Sequence, residues 1–312
     1  MRSLAPYSMQ LESHHDHDTQ KLTATIVICT RNRPTSLRKC LEGIAHLERA
    51  PDEVIVVDNT SGDKETEAAA RKFSARYTFE PIAGLSRARN RGLSESTSEI
   101  VAFLDDDAWP DERWLESLLE PFVDPHVGSV TGRTVLPESH ADSIDWEPTR
   151  FLSNKDHQWF EIAAFGGLGI GTNMALRKTA CNGWKVFDER LGRGTLFQGM
   201  EEHHAFVHLL SIGYCAVHVP SAIVFHRSQK HGDIKQEACN QIAYSMLLFS
   251  EYPGQRLDLL RFLFRRVRRK PLTWPRDTAD PGEIISSGWR VLLRASFRAA
   301  VLFFRNRKPR GK

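Results

Sequence analysis

Three consecutive carboxylates, Asp105-Asp106-Asp107, directly follow the apolar run 100–104. Adjacent carboxylates repel one another unless a cation or hydrogen-bond donors compensate their charge. A divalent cation bound to a pyrophosphate would provide this compensation, because Mg²⁺ takes one or two carboxylates together with phosphate oxygens. The alternative interpretation is a solvated turn with a helix cap, where Asp is common. The triplet therefore indicates a metal and phosphate site at the end of a strand.

Apolar runs that alternate with helical patterns are the elements that must position this triplet. Strands are predicted at 23–30, 54–58, 77–79, 100–104, 171–176 and 216–225, and helices at 35–46, 66–73, 87–95, 201–211 and 233–249. The alternation in the first hundred residues predicts an α/β domain with a mainly parallel sheet. In such sheets ligands bind beyond the carboxyl ends of the strands. This chain places the acidic triplet and two other polar segments, 30–33 and 58–59, at those ends, which indicates a nucleotide site.

Seven short segments occur in the order found in the family 2 glycosyltransferases, which the chain resembles from about residue 23 to 226. The segments are 26–34 (IVICTRNRP), 53–59 (EVIVVDN), 84–92 (GLSRARNRG), 103–107 (FLDDD), 171–175 (GTNMA), 187–192 (FDERLG) and Glu201-Glu202. Any one segment is a weak match, but coincidence does not explain seven in order. The resemblance implies the GT-A fold, in which a mixed, mainly parallel sheet is flanked by helices. It also implies inverting transfer of a sugar from a UDP-, GDP- or dTDP-sugar.

The resemblance implies donor-binding roles in the first two polar segments. Thr30, Arg31 and Arg33 would meet the nucleotide base and the pyrophosphate. Asp58 would accept a hydrogen bond from the base or from the ribose.

Further donor contacts are implied later in the chain. Asp105 would touch the ribose, and its neighbour Asp106 belongs to the same donor-binding set. Arg89 and Asn90 would steady the donor, and an ordinary place on the surface of a helix is the alternative for either residue.

A site for Mn²⁺ or Mg²⁺ is also implied by the resemblance. Asp107 would be its main ligand, with Asp105 as a second. A third ligand is expected near His226, which follows the apolar run 222–225, and histidine is a common metal ligand. A structural histidine is the alternative. The metal would act as a Lewis acid that neutralises the charge of the departing nucleoside diphosphate.

An inverting transfer needs a base that takes the proton of the acceptor hydroxyl. In the family this base is usually the Asp of a Glu-Asp pair that opens a helix. That position falls on Glu202, with Glu201 before it. Because Glu is one methylene longer than Asp, Glu201 is a competitor for the role. The alternative is that both are first-turn acids favoured by the helix dipole.

The expected acceptor is a saccharide or a lipid-linked molecule. The Gly-rich segment 166–171 lacks the strand–turn–helix setting of a dinucleotide-binding fingerprint. We interpret this segment as a flexible loop near the acceptor site.

The charge of the chain is unevenly distributed. Residues 255–312 hold 16 Lys and Arg against 4 Asp and Glu, whereas the remainder holds 26 against 35. Arginines alternate with apolar residues there, and Arg290, Arg294 and Arg298 share one helical face. This pattern is typical of a helix that lies on an anionic membrane surface, and a helix packed on the catalytic domain is the alternative. Since no nucleic-acid-reading motif accompanies the basic residues, nucleic acid is not an expected partner.

Composition predicts the organisation of the chain and its compartment. We expect a disordered polar tail (1–20), a glycosyltransferase domain (21–250) and a basic amphipathic helical extension (251–312). No run approaches the ~20 apolar residues of a membrane span, and the N-terminus has no apolar signal-peptide core. The five cysteines are widely spaced and are expected to be reduced. These features predict a cytoplasmic protein, with peripheral contact to the inner face of the membrane through the extension.

Two other functional classes stay open. A sugar-1-phosphate nucleotidyltransferase has a related scaffold, but its chemistry favours a Gly-rich phosphate loop with a nearby Lys, which segment 30–33 does not provide. A non-catalytic sugar-nucleotide-binding module that has lost its base is the other class, and the Glu at position 202 is consistent with it.

Overall fold

The computed structural model describes residues 22–59, 62, 64–137, 148–195, 197–226 and 234–267. The predicted disordered tail at 1–20 lies outside these residues. Most of the predicted C-terminal extension also lies outside them, including Arg290, Arg294 and Arg298.

Nine strands in the described residues form one mixed sheet. The strands are β1 (Ala24–Thr30), β2 (Glu53–Asn59), β3 (Arg76–Glu80), β4 (Ile100–Asp105), β5 (Ala108–Pro110), β6 (Val127–Val135), β7 (Arg150–Leu152), β8 (Asn173–Arg177) and β9 (Cys215–His226). Their order is β3-β2-β1-β4-β8-β6-β9-β5, with β7 paired to β9. Strands β3, β2, β1 and β4 are mutually parallel, and β6 is parallel to β9. The other pairs are antiparallel.

Helices flank this sheet, and Pro34 begins the first of them at a position where its missing N–H is not needed. In the described residues the α-helices are α1 (Pro34–Ala45), α2 (Lys64–Lys72), α3 (Leu85–Glu95), α4 (Trp114–Leu119), α5 (Trp159–Ala164), α6 (Glu201–Ser211), α7 (Ile234–Glu251) and α8 (Arg256–Val267). None of these helices is long and apolar enough to cross a membrane.

Hydrophobic cores lie on both faces of the sheet. Because side chains alternate along a strand, Val27 of β1 joins one core while Ile26 and Ile28 join the other. Helix α3 packs closely on the first face at Gly92, where a Cβ atom would lie only 2.3 Å from Val27 Cγ1. This close packing fixes the side chains of α3 relative to the ends of the central strands.

Strand register brings distant polar residues to the same edge. Thr30 at the end of β1 lies beside Asp58 of β2, and Cys29 lies beside Asp105 of β4. The parallel half of the sheet therefore gathers the polar segments at its carboxyl end, as the sequence predicts.

Two antiparallel pairs complete this edge. Ala108 of β5 pairs with His226 of β9, which places the imidazole beside Asp107. Leu104 of β4 pairs with Asn173 of β8. This pairing brings Thr172, the residue before Asn173, close enough to donate a hydrogen bond to Asp105.

The four cysteines with described side chains are free thiols: Cys29, Cys40, Cys181 and Cys215. Burial raises the pKa of Cys29 and of Cys181 to about 12, so both thiols stay protonated at neutral pH.

Candidate active site

A pocket opens at the carboxyl ends of β1 and β4. The loop after β1, the acidic triplet, the start of α3 and the loop before α6 enclose it. Three arginines and three aspartates face this pocket, and such a combination complements a pyrophosphate together with a cation. The lining residues are Cys29, Thr30, Arg31, Arg33, Asn59, Gly84, Leu85, Ala88, Asp105, Asp106, Asp107, Arg193 and Gly194.

The middle carboxylate of the triplet is almost completely buried. Asp106 is 1% exposed, accepts a hydrogen bond from Thr30 Oγ1 at 2.6 Å and forms an ion pair with Arg33 at 3.2 Å. Burial raises the pKa of Asp106 to about 6, although the bond from Thr30 and the charge of Arg33 lower it. Asp106 therefore ties the loop after β1 to the end of β4 and holds two sides of the pocket together.

Asp105, Asp107 and His226 form a cluster of potential metal ligands. One ligand atom from each residue lies within 4.8 Å of the others. His226 Nε2 is 3.1 Å from Asp107 Oδ1, and Arg33 Nη1 donates a hydrogen bond to Asp107 Oδ2 at 2.7 Å. The hydrogen bond to Asp107 raises the pKa of His226, although burial lowers it.

This cluster fits a hard divalent ion. Two carboxylates and an imidazole are ligands that Mn²⁺ accepts, and Mg²⁺ is bound through one or two carboxylates and phosphate oxygens. The negative charges of Asp105 and Asp107, which favour protonation of His226, also favour the binding of a metal cation. Asp105, Asp107 and His226 are therefore the residues that would hold the ion, which is the set that the sequence predicts.

Arg89 connects this cluster to helix α6. The side chain is almost completely buried, and its Nη1 donates a hydrogen bond to Glu201 Oε1 at 2.8 Å. Its Nη2 donates to the carbonyl oxygen of Gly171 at 3.2 Å and lies 3.5 Å from Asp105 Oδ1. Thr172 Oγ1 also donates to Asp105, at 2.6 Å. Asp105 is therefore oriented by Arg89 and Thr172, and Arg89 also binds Glu201, the first residue of α6.

Glu201 and Glu202 open α6 in different electrostatic environments. Burial and the charge of Glu202 raise the pKa of Glu201 to about 7, although Arg89 lowers it. For Glu202, burial is outweighed by the charges of His203 and Arg89 and by backbone hydrogen bonds, so its pKa is lowered. Glu202 therefore stays ionised at neutral pH.

The two glutamates also differ in their contacts. Glu202 Oε1 accepts a hydrogen bond from the backbone N–H of Gly171 at 3.3 Å, whereas Glu201 Oε1 is held by Arg89. The Oε2 atom of each glutamate has no hydrogen-bond partner among the described residues. Both Oε2 atoms are buried, and an ionised carboxylate oxygen without a hydrogen-bond partner can accept a proton, as a general base must.

The loop before α6 has an unusual backbone. Met200, which precedes the helix, has a φ of 72°, and Gly192, Gly194 and Gly199 also have positive φ values. A left-handed conformation at a non-glycine residue costs about 1–3 kcal/mol and is concentrated at functional sites. Here it lets the chain turn between the pocket and the two glutamates.

Three residues with predicted donor contacts do not line the pocket: Asp58, Arg89 and Asn90. Asp58 is fully buried and accepts a hydrogen bond from the Tyr77 hydroxyl at 2.9 Å. The Asn90 amide exchanges two hydrogen bonds with the backbone of Phe187, at 2.7 and 3.0 Å. Their contact with a donor stays a prediction, and the structure gives each a positioning contact.

The sequence does not predict two of the site residues, Arg193, which lines the pocket, and Thr172, which holds Asp105. Asn59 also lines the pocket, and the sequence predicts it there only as part of the polar segment 58–59. Each adjoins or lies within a segment that resembles the family, but the roles come from contacts between distant strands and loops. The backbone oxygen of Arg193, for example, accepts a hydrogen bond from the N–H of Leu85 at the start of α3.

Comparison with known proteins establishes the family. The sequence profile of "Glycosyl transferase family 2" matches residues 25–183, and this chain belongs to that family. The resemblance drawn from the seven segments is thereby confirmed.

Two curated relatives share part of the chain. The succinoglycan biosynthesis protein ExoM of Rhizobium meliloti is 38% identical over 177 residues, which are 52% of this chain and 54% of that protein. The pre-mycofactocin glycosyltransferase of Mycobacterium tuberculosis is 37% identical over 114 residues, which are 36% of this chain and 23% of that protein. The chain thus spans about half, or less, of the length of these relatives.

A solved structure supports the fold over nearly the whole chain. The mannosyltransferase PcManGT of Pyrobaculum calidifontis, determined with GDP-Man and Mn²⁺, superposes with a TM-score of 0.56 at 17% identity. The match covers 91% of this chain and 86% of that one. The architecture, a mixed sheet flanked by helices, is the GT-A fold, as the sequence predicts.

Proposed function

We propose that the protein is a metal-dependent inverting glycosyltransferase that moves a sugar from a nucleoside diphosphate sugar to a hydroxyl acceptor. One observation carries the proposal. Asp105 and Asp107 of the ligand cluster line a pocket together with three arginines, and Arg89 links Asp105 to Glu201, the residue before Glu202. The proposed leaving-group site is thus joined by direct contacts to the first turn of α6, which carries the proposed base.

The pocket would bind the donor through its diphosphate. Arg31, Arg33 and Arg193 supply positive charge at the pocket wall, and guanidinium groups suit phosphate oxygens because they donate two parallel hydrogen bonds. A divalent ion held by Asp105, Asp107 and His226 would supply Lewis-acid stabilisation of the departing nucleoside diphosphate. The arginines would stabilise the same developing negative charge by preorganised hydrogen bonding.

Glu202 is the base in this mechanism, with Glu201 in a supporting role. Glu201 is engaged by Arg89, and its raised pKa leaves it partly protonated at neutral pH. Glu202 is ionised, and its buried Oε2 has no hydrogen-bond partner among the described residues. It takes the proton of the acceptor hydroxyl while the hydroxyl oxygen bonds to the anomeric carbon. The bond from that carbon to the phosphate oxygen breaks on the opposite side, and its electron pair leaves with the nucleoside diphosphate.

The acceptor in this proposal is a saccharide or a lipid-linked molecule of polysaccharide synthesis. The relative ExoM is named for succinoglycan biosynthesis, which supports a saccharide acceptor. PcManGT was solved with a GDP-sugar, which supports a nucleotide-sugar donor. The UDP-, GDP- and dTDP-sugars are the donors to test.

Nucleoside diphosphate binding tests this proposal without knowledge of the acceptor. Titration calorimetry with UDP, GDP and dTDP, each with Mn²⁺, Mg²⁺ or a chelator, should show one nucleotide that binds only with metal. Asp107→Asn should weaken that binding roughly tenfold or more, since one charged ligand is lost. Asp258→Asn, at an exposed carboxylate on α8, is the matched control. Binding that ignores both the chelator and Asp107→Asn would remove the metal site from the mechanism.

A further inference from the structure

Helix α8 has one face buried against the domain. Leu259 and Phe262 are 1% and 3% exposed, and the Phe262 ring stacks on Phe165 with ring centroids 4.2 Å apart. These contacts fix the orientation of the helix. The opposite side of α8 therefore faces away from the domain.

Among the side chains that the structure describes, the outer face of α8 consists of Arg256, Leu257, Leu260 and Arg261, and Arg256 Nε also donates a hydrogen bond to the Phe249 carbonyl oxygen at 2.8 Å. Leu257 is 67% exposed and Leu260 is 51% exposed. Residues three and four apart are neighbours on a helix, so the two leucines form one apolar strip with an arginine beside each. Single exposed leucines are ordinary on protein surfaces, but a paired strip flanked by cations is a specific combination.

The positive charge of α8 limits which kind of partner can bind its outer face. Among the described residues Arg261 is ion-paired only within α8, to Asp258 at 3.1 Å, and its side chain is 67% exposed. Residues 268–312 carry 12 Lys and Arg against 3 Asp and Glu. Because the net charge of these residues has the same sign as the arginines on the outer face of α8, contact between the two is electrostatically unfavourable. The charge complements an anionic surface instead.

The small apolar area argues against a second copy of the chain. A stable protein–protein interface buries about 800 Å² on each partner, which two leucines and two arginines do not provide. A lipid bilayer needs no matching protein surface. Leucines enter the boundary between headgroups and acyl chains, and arginine stems extend along apolar groups while the guanidinium stays at the phosphates.

We propose that the outer face of α8 binds an anionic lipid bilayer, with Leu257 and Leu260 inserted and Arg256 and Arg261 at the lipid phosphates. The catalytic domain is thereby held at the membrane, where a lipid-linked acceptor would be found. This proposal stands on α8 and does not depend on the assignment of the base or the metal.

Vesicle co-sedimentation of the full chain tests the proposal. The vesicles are phosphatidylcholine alone or phosphatidylcholine with phosphatidylglycerol. Two pairs of variants are compared: Leu257→Ser/Leu260→Ser against Val123→Ser/Ile212→Ser, and Arg261→Gln against Arg113→Gln. Val123 and Ile212 are 79% and 50% exposed and belong to other parts of the chain than α8. Arg113 matches Arg261 because it is 69% exposed and pairs with a carboxylate three residues away.

We expect binding only to the anionic vesicles. Leu257→Ser/Leu260→Ser should lower the partition coefficient roughly tenfold or more, and Arg261→Gln should lower it severalfold. The control variants should bind as the wild type does. Far-UV circular dichroism checks that every variant is folded.

Three results would overturn the proposal. The first is failure of the wild-type chain to bind anionic vesicles. The second is equal binding by the α8 variants and their controls, which would place the contact elsewhere in the chain. The third is a wild-type dimer in solution that Leu257→Ser/Leu260→Ser dissociates, because the face would then belong to a second copy.

Discussion

Arg89 Nη1 donates a hydrogen bond to Glu201 Oε1 at 2.8 Å, and both side chains are only 4% exposed. The same guanidinium lies 3.5 Å from Asp105. A buried ion pair adds little net stability, but it makes each partner depend on the other. We infer that Arg89 sets the position of the first turn of α6 relative to the acidic triplet.

Removal of one partner of this pair should destabilise the fold strongly. Arg89→Met leaves Glu201 buried without its partner, and we expect a loss of about 3–5 kcal/mol in the free energy of unfolding. The double variant Arg89→Met/Glu201→Met should recover part of that loss, because no buried charge is left unpaired. Urea denaturation measures both values. Strictly additive losses in the double variant would show that the pair is not coupled.

The pH dependence of turnover should report Glu201. Its pKa is raised to about 7, so it gains a proton as the pH falls through that value and Arg89 loses its charged partner. We expect kcat/KM to fall on the acid side with an apparent pKa of about 7. In Glu201→Gln, the kcat/KM of the residual activity should no longer fall on the acid side with this pKa. Persistence of this fall in that variant would assign the titration to another group.

Arg193 should contact the diphosphate of the donor. It lines the pocket, and its charge acts on His226 in the metal-ligand cluster. Arg193→Ala should weaken nucleoside diphosphate binding roughly tenfold, the scale of one charge-assisted hydrogen bond. Binding of the nucleoside without phosphates should not change. Arg113→Ala is the surface control, and an equal loss for nucleoside and diphosphate would contradict the assignment.

Gly171 should be needed for the position of Arg89. A Cβ atom at this residue would lie 2.7 Å from Arg89 Nη2 and 2.8 Å from Nη1, so the guanidinium must shift. We expect Gly171→Ala to lower turnover roughly tenfold through misplacement of the groups that Arg89 orients. Gly254→Ala is the control, because a Cβ there meets nothing within 4 Å. Wild-type turnover in Gly171→Ala would show that the exact place of Arg89 is unimportant.

The central strands and the start of α6 follow directly from the sequence. Apolar runs end where polar residues begin, so the ends of β1 and β4 are predictable, and the predicted helix at 201–211 has the observed bounds of α6. Helix α5 is not predicted, because it has six residues and is buried on nearly all sides, which leaves no helical periodicity to detect.

Within the site, residue types are more predictable than contacts. The sequence predicts Asp105, Asp107 and His226 as one metal site, and the structure places them together. It does not predict that Asp106 is buried against Thr30 or that Thr172 holds Asp105, because these contacts depend on the pairing of distant segments. Tertiary register, which local patterns do not encode, determines them.

Nucleoside diphosphate release from UDP-, GDP- and dTDP-sugars tests the central claim most directly. The assay compares the wild type, Glu202→Gln and the surface control Glu116→Gln, each with Mn²⁺, Mg²⁺ or a chelator. Slow hydrolysis of the donor makes the signal independent of the acceptor. We predict release from one donor class that requires metal and falls at least about a hundredfold in Glu202→Gln, the scale of a lost general base. Release that is equally fast with chelator and in Glu202→Gln would contradict both the metal site and the base.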